Sequence, residues 1–498
     1  MTGTALVALL APVATGFFLL CGLWPERRAI RSQLLLKLSL AVGVGWGIAS
    51  CLFFLCLPLF TPVRRALVIF DVLSFLLALG VYFTTRSTRP PQRRAGQQPT
   101  PRSALSWLLA LLFCLIALSA AAVYAAAVMR HPHGGWDAWA IWNLRARFLA
   151  RGGVHWRDAF AGQLAWSHPD YPLLLPGLVA RVWAYVGSEA RLVPILISFL
   201  FCTATVALAV ASVTVLRGRS QGLLAGVCLL ACPPFVGQAA LQYADVPVGY
   251  FVLAALVLCA CHDWFTQADA RFLFWAGVMA GLAAWTKNEG LLYLVSIVLV
   301  RVAFAFGWRS AAGRRLGWFV LGALPILAVI TLFKTQLAPP NDLLANGGWN
   351  VTAAKLADVG RYEQVIRAFA AQWMRFGGGI FVILVCYAVF AGRSSDPLSR
   401  LPAAATSAVL AVTVTGFIGV YIVSPHPLSW HLRNSLLRIF VQLWPSIVFV
   451  FFLAVATPEE RARGARRLRR GAALTTPRRA QLGASVLPAS SRLLQRAD

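Results

Sequence analysis

An all-α, polytopic transmembrane helical bundle is the fold class that this sequence predicts, on three observations. Of its 498 residues 59% are hydrophobic and only 12% charged, with a mean hydropathy of +0.71, against roughly 25% charged in soluble domains. About thirteen segments approach the roughly 20 apolar residues that a hydrocarbon core requires. The basic residues, 45 Lys and Arg against 17 Asp and Glu for a net charge of +28, fall mainly in short loops and the C-terminal tail. In so apolar a chain that balance follows the positive-inside rule and attraction to anionic headgroups, so membrane lipids, not nucleic acid, are the expected partners.

The first expected spans are Thr4–Leu23, Leu34–Leu59 and Ala66–Thr84. WPERRAIRSQ follows the first and RSTRPPQRRAGQQPTPR the third; both read as cytoplasmic, which puts the N-terminus outside. A fourth span, Ala104–Val128, then delivers a polar, tryptophan-rich stretch to the outer side. Six more follow at about Arg191–Leu216, Gly222–Ala239, Val246–Cys261, Phe272–Trp285, Gly290–Phe306 and Leu316–Leu337, several short or broken by Pro or Gly. Such breaks are tolerated where they line an enclosed cavity. Spans near Gly377–Ala391, Pro402–Val423 and Ser435–Ala456 complete the set.

The organisation is therefore a three-span extension over 1–103 and a core over 104–456, followed by a basic cytoplasmic tail over 457–498 with no predicted order. The core carries outer loops at 129–190 and 338–374, with short interfacial helices. The ten cysteines lie in apolar runs and read as small buried hydrophobes.

Scarce carboxylates on the outer side mark the candidate site. In GGWDAW, Asp137 opens a helix expected over Trp136–Ala150, an amphipathic segment lying at the interface with Trp136 and Trp139 in the headgroup layer. Asp137 is either its cap or a functional carboxylate, and Gly134-Gly135 allows the backbone to approach a ligand. In SHPDYP, Pro169 and Pro172 stiffen the chain around Asp170 and Tyr171, beside His168; a plain turn has the same composition. Asp245, in YADVP after Tyr243, reads as a helix cap or a site acid. Lys287 and Glu289, in WTKNEG, lie between two apolar segments with almost no loop, so they pair with each other or serve a ligand. WHLRNSLLR offers Arg433 and Arg438 as headgroup anchors or anion ligands.

Taken in order and on one side, Asp137, HPDYPLLLP, YADVP, GLAAWTKNEGLL and WHLRNSLLR resemble the GT-C class of integral-membrane glycosyltransferases. Within it the chain is most similar to the bacterial branch of the protein O-mannosyltransferase and aminoarabinose transferase superfamily, over about Ala104–Ala456. The resemblance implies an inverting transfer of sugar from a polyprenyl-phosphate donor to a lipid, glycan or protein acceptor on the periplasmic or extracellular face of a bacterial inner membrane. It implies Asp137 as general base, Asp170 as second loop carboxylate, and Lys287 with Arg433 or Arg438 as donor-phosphate contacts. Trp136, Trp139, His168, Tyr171, Tyr243, Asp245 and Glu289 then bind substrate. Where the family has an acidic pair, this chain has Asp137 followed by Ala138, which leaves a divalent metal an open question; His131, His133 and His168 are the candidate ligands beside Asp170.

A transporter or lipid flippase is the rival reading; it expects inverted repeats and midplane acids, and only Asp71, inside the third span, favours it.

Overall fold

The computed structural model describes residues 3–24, 32–60, 63–87, 104–265, 269–306, 312–341 and 348–463. Among them the chain is helical; one isolated bridge, Arg393 to Val455, is its strand-like feature. In order the helices are α1 (Gly3–Leu23), α2 (Ser32–Cys56), α3 (Val63–Ser87), α4 (Ala104–Arg130), α5 (Asn143–Arg151), α6 (Leu174–Val186), α7 (Leu192–Arg217), α8 (Arg219–Leu230) and α9 (Pro233–Ala240). They continue as α10 (Asp245–Trp264), α11 (Arg271–Thr286), α12 (Glu289–Phe306), α13 (Ala312–Gln336), α14 (Trp349–Ala357), α15 (Val359–Gly377), α16 (Gly379–Ala391), α17 (Arg400–Val423) and α18 (Leu428–Ala454).

Among the described residues nine helices are long and apolar enough to cross a membrane, or up to eleven if each of two bent pairs is one span, so this is an integral membrane bundle with fewer clear spans than the thirteen expected. The difference has local causes. The segment expected as one span at Gly222–Ala239 bends by 63° between α8 and α9, where Pro233 and Pro234 start a new helix. The span expected near Gly377–Ala391 turns 85° away from α15 at Gly378, whose φ of +45° lies in the left-handed region. At 16 residues, α11 covers only about 24 Å at 1.5 Å per residue.

Hydrophobic all round, α10 is buried along its whole span window and forms the centre of the bundle, against α7, α11 and α18. Small residues bring neighbouring backbones together. A Cβ on Gly277 would lie 1.9 Å from the Phe319 carbonyl oxygen, and one on Gly322 1.9 Å from that of Phe274, so α11 and α13 cross at backbone contact. Gly45 makes the same approach to Pro12 between α2 and α1.

The polar stretch after α4 runs through a π-helical turn, Ala138–Trp142, into α5 and then two 3-10 segments, Gly153–Phe160 and Gly162–Ser167, before α6. Short helical segments thus fill the stretch between α4 and α6. Within the stretch expected as the loop at 338–374 the chain forms α14 and most of α15, broken at Asp358, whose carboxylate accepts from Gly360 N at 2.9 Å. Lys355 Nζ and Arg361 Nε dock the pair on the end of α17, donating to the Ser424 and Ile422 carbonyls at 3.0 and 2.7 Å.

At the opposite end of the bundle, Arg217 meets Glu460 at 3.0 Å and Asp396 at 3.6 Å. The first residues of the tail, 457–463, are thus folded onto α7; most of the basic linkers at 24–33 and 86–102, and the rest of the tail expected to lack order, lie outside the described residues.

Asp71 does not stand alone within its span. Its carboxylate binds Arg181 and Tyr185 of α6, and Arg181 also donates to the Ala8 carbonyl of α1 at 2.5 Å, so one buried guanidinium joins three helices. Replacing Arg181 by Ala leaves Asp71 without its counter-charge and should cost about 3–5 kcal/mol; a thermal-unfolding midpoint equal to that of the parent protein in lipid nanodiscs would show that the pair holds nothing together.

Candidate functional site

Four interruptions between helices meet at the end of the bundle away from Arg217. They are the turn at 131–137 after α4, the turn at 168–173 before α6, the turn at 241–244 between α9 and α10, and the break at 287–288 between α11 and α12. Breaks expose backbone and polar side chains, and in an apolar bundle these must find one another. The first and third are locked by Gly135 N donating to the Leu241 carbonyl at 3.0 Å. Gly134, at φ +76°, and Gly135 make room for this: Cβ atoms there would lie 2.6 Å from the Leu241 oxygen and 2.5 Å from the Tyr243 hydroxyl. The close approach expected toward a ligand is therefore made to the chain itself.

Onto this scaffold the structure hangs a row of five alternating charges. Asp137 Oδ2 lies 2.5 Å from Arg438 Nη2, without the alignment of a hydrogen bond. Arg438 Nε donates to Asp245 Oδ2 at 2.9 Å, and Asp245 Oδ1 accepts from Lys287 Nζ at 3.0 Å. Lys287 Nζ also reaches Glu289 Oε1 at 2.6 Å. Three carboxylates share two cations. Gln442, one turn past Arg438 on α18, completes the coordination of Asp245 with a bond of 2.7 Å. Asp245 is 0% exposed and Lys287 3%, so neither charge is stable there without the other.

Asp170 has a separate set of partners. Asn288 and Asn341 both donate to its Oδ2, at 2.7 and 2.8 Å, while Lys334 Nζ bridges its carbonyl oxygen at 2.5 Å and Asn288 Oδ1 at 2.9 Å. Tyr171 lies between the two clusters. Its ring stacks on Trp142 at 5.6 Å and on His168 at 5.1 Å, its carbonyl accepts from the buried Arg145 at 2.6 Å, and Lys287 Nζ lies 5.8 Å from its centroid. Arg438 sits 5.2 Å from the Tyr243 ring. Burial, then Glu289, pushes the Tyr171 hydroxyl well above its usual range, and burial followed by Asp137 raises that of Tyr243. Both remain O–H donors at neutral pH. Burial lowers Arg145 to about 10, with Asp170 and Tyr171 opposing the shift.

The structure brings together Asp137, Asp170, Tyr171, His168, Tyr243, Asp245, Lys287, Glu289 and Arg438. Asp137 makes no side-chain cap bond, so the simple cap does not describe it. Asp245, enclosed by protein donors, holds cations in place and presents no free face to a substrate. Arg433 is exposed and outside the row; five residues along a helix place it roughly 140° from Arg438. Trp136 and Trp139 are half-exposed, packed edge to face at 5.9 Å, at the rim. One face of the helix expected at the interface is instead packed against the protein, for Ala138, Ala140, Ile141, Trp142, Asn143 and Arg145 are buried. His131 and His133 are exposed, and among the described residues no three His, Cys, Asp or Glu side chains gather as metal ligands.

Arg145, Asn288, Lys334, Asn341 and Gln442 belong to the site without having been singled out as binding residues. Lys334 carried a signal, a lone cation at the end of an apolar run; Asn288, Asn341 and Gln442 carried none, since an amide shows no charge anomaly. No protein-family model, curated protein or solved structure matches this chain.

Asp245→Ala removes the shared counter-ion of the buried Lys287 and the partly buried Arg438 and should destabilise the protein by about 3–5 kcal/mol. The check is its unfolding midpoint beside that of Glu289→Ala, where Lys287 keeps Asp245; equal losses would contradict the central place of Asp245.

Proposed function

We propose that this protein is an inverting glycosyltransferase that moves a sugar from a polyprenyl-phosphate donor to a lipid, glycan or protein acceptor at the outer face of a bacterial inner membrane. One observation carries the reading: a carboxylate, Asp137, touches the cation Arg438, which Asp245 links to the buried Lys287, at one end of an apolar bundle. Phosphoryl leaving groups need positive charge, and an attacking hydroxyl needs a base. A lipid-borne donor needs neither a soluble nucleotide domain nor a phosphate loop.

In this scheme Asp137 takes the proton of the acceptor hydroxyl as its oxygen attacks the anomeric carbon from the face opposite the phosphate. The bond from that carbon to the phosphate oxygen breaks, the electron pair stays on the carrier phosphate, and Lys287 and Arg438 stabilise the charge that develops. A single displacement inverts the anomeric centre. The resting row must rearrange first, because Arg438 lies on Asp137. The donor phosphate competes for the guanidinium and draws it away, leaving Asp137 free to accept a proton. Asp170, fixed by two amides, orients the acceptor side. The transporter reading loses its one support, since Asp71 is paired with Arg181 and Tyr185.

Purified Asp137→Asn protein should fold as the parent does and lose about 10²–10⁴-fold in transfer; full activity in that variant would remove Asp137 as the base. Lys287→Ala should weaken binding of polyprenyl phosphate, and an unchanged dissociation constant would remove it as the phosphate contact. Mass spectrometry of lipid-linked sugars and surface glycans, with and without the gene, should show donor accumulating and a glycan shortened.

A further inference from the structure

Two buried polar groups beside Lys287 are left unused by this scheme. Glu289 gives Oε1 to Lys287 at 2.6 Å, yet its Oε2 is buried with no hydrogen-bond partner among the described residues. Four residues on, Tyr293 is 1% exposed, and its hydroxyl is likewise buried without a partner. Native proteins rarely leave such groups unpaired, and a polar occupant here, facing two of them one helical turn apart on α12, would satisfy both.

The surroundings define what that is. The Tyr293 ring stands edge-on to Phe417 of α17 at 5.7 Å, which fixes its direction. One turn beyond Phe417, Tyr421 bonds to Ser435 at 2.8 Å and packs on His431 at 4.7 Å, so a second polar tier from α17 and α18 lies along the same wall. A carboxylate oxygen can only accept, whereas a tyrosine hydroxyl donates or accepts. The occupant must therefore carry at least one donor and a second polar group near it. A phosphate would be repelled by Glu289 and has no donor; a hydrocarbon tail answers neither group. A ring carrying several hydroxyls answers both, and it would lie one turn of α12 from the cation assigned to the phosphate.

We propose that Glu289 Oε2 and Tyr293 Oη form the subsite that grips the hydroxyls of the donor sugar, an inference that rests on the glycosyl-transfer reading and says where the sugar is recognised. Tyr293→Phe is the sharp test, because it keeps the ring against Phe417 and leaves Lys287 untouched. The parent and variant, in full-length form in nanodiscs, are titrated with bare undecaprenyl phosphate and with the same carrier bearing glucose, mannose or arabinose.

The parent should bind one of the sugar-bearing carriers more tightly than the bare one, and the variant should lose about tenfold of that advantage, roughly one hydrogen bond, with affinity for the bare carrier unchanged. Equal weakening toward bare and loaded carriers, or no change toward either, overturns the subsite while glycosyl transfer stands. So does a parent that binds all four carriers alike. A parent that binds none of the four overturns the transfer reading and the subsite with it.

Discussion

Asp245 is the residue on which the rest of the site depends. It is wholly enclosed, and its two oxygens hold Lys287, Arg438 and Gln442, which come from the α11–α12 break and from α18. An unpaired charge at such depth costs several kcal/mol, so neither cation could be kept there by packing alone. The single carboxylate therefore fixes how α10, α11, α12 and α18 meet, and it does so at a point where the backbone of α11 has already stopped, Lys287 being extended at φ −158°. Fold and site are one constraint seen from two sides: the bundle centres on α10, and the first residue of α10 anchors the charges.

How much of this was legible in the sequence depends on the kind of signal. Charges in an apolar chain stand out, so Asp137, Asp170, Asp245, Lys287, Glu289 and Arg438 could be picked out one by one. Their pairing could not. Lys287 reads from the sequence as a partner of nearby Glu289 or as a ligand contact; the Glu289 contact exists at 2.6 Å, but its fully buried partner is Asp245, 42 residues away. Arg433 and Arg438 looked equivalent because composition does not register helical phase. The amides around Asp170 were invisible for a different reason: neutral polar residues near span ends are ordinary, and only the fold shows that Asn288, Asn341 and Lys334 converge.

The tryptophan-rich stretch shows the same limit in the backbone. Its pattern fits an amphipathic helix on the surface, and Trp136 and Trp139 do remain half-exposed. The π-helical turn at Ala138–Trp142 adds a residue to the turn and changes the phase. Trp142, Asn143 and Arg145 therefore face inward, where Arg145 holds the Tyr171 carbonyl and Trp142 stacks on the Tyr171 ring. A regular 3.6-residue repeat read from the sequence has no means of anticipating that insertion. Span counting failed similarly at Pro233 and Gly378, where apolar composition continues through a sharp change of direction.

The balance of charge in the row bears on how such a site can work. Three carboxylates against two cations leave no cation free to meet an anion, so any phosphate that binds must take the place of a carboxylate in the coordination of Arg438 or Lys287. Asp245 is the least replaceable of the three, being held by a third donor, Gln442. Asp137 and Glu289 sit at the two ends of the row, each with one cation as partner, and Asp137 meets its cation without an aligned hydrogen bond. The terminal contacts are therefore the ones an incoming phosphate can exchange, while the inner ones keep both cations in position during the exchange. Under the proposed glycosyl transfer, a row built in this way stays closed by its own charges until a competing anion arrives, and the carboxylate released at the Arg438 end is the one that would accept the proton.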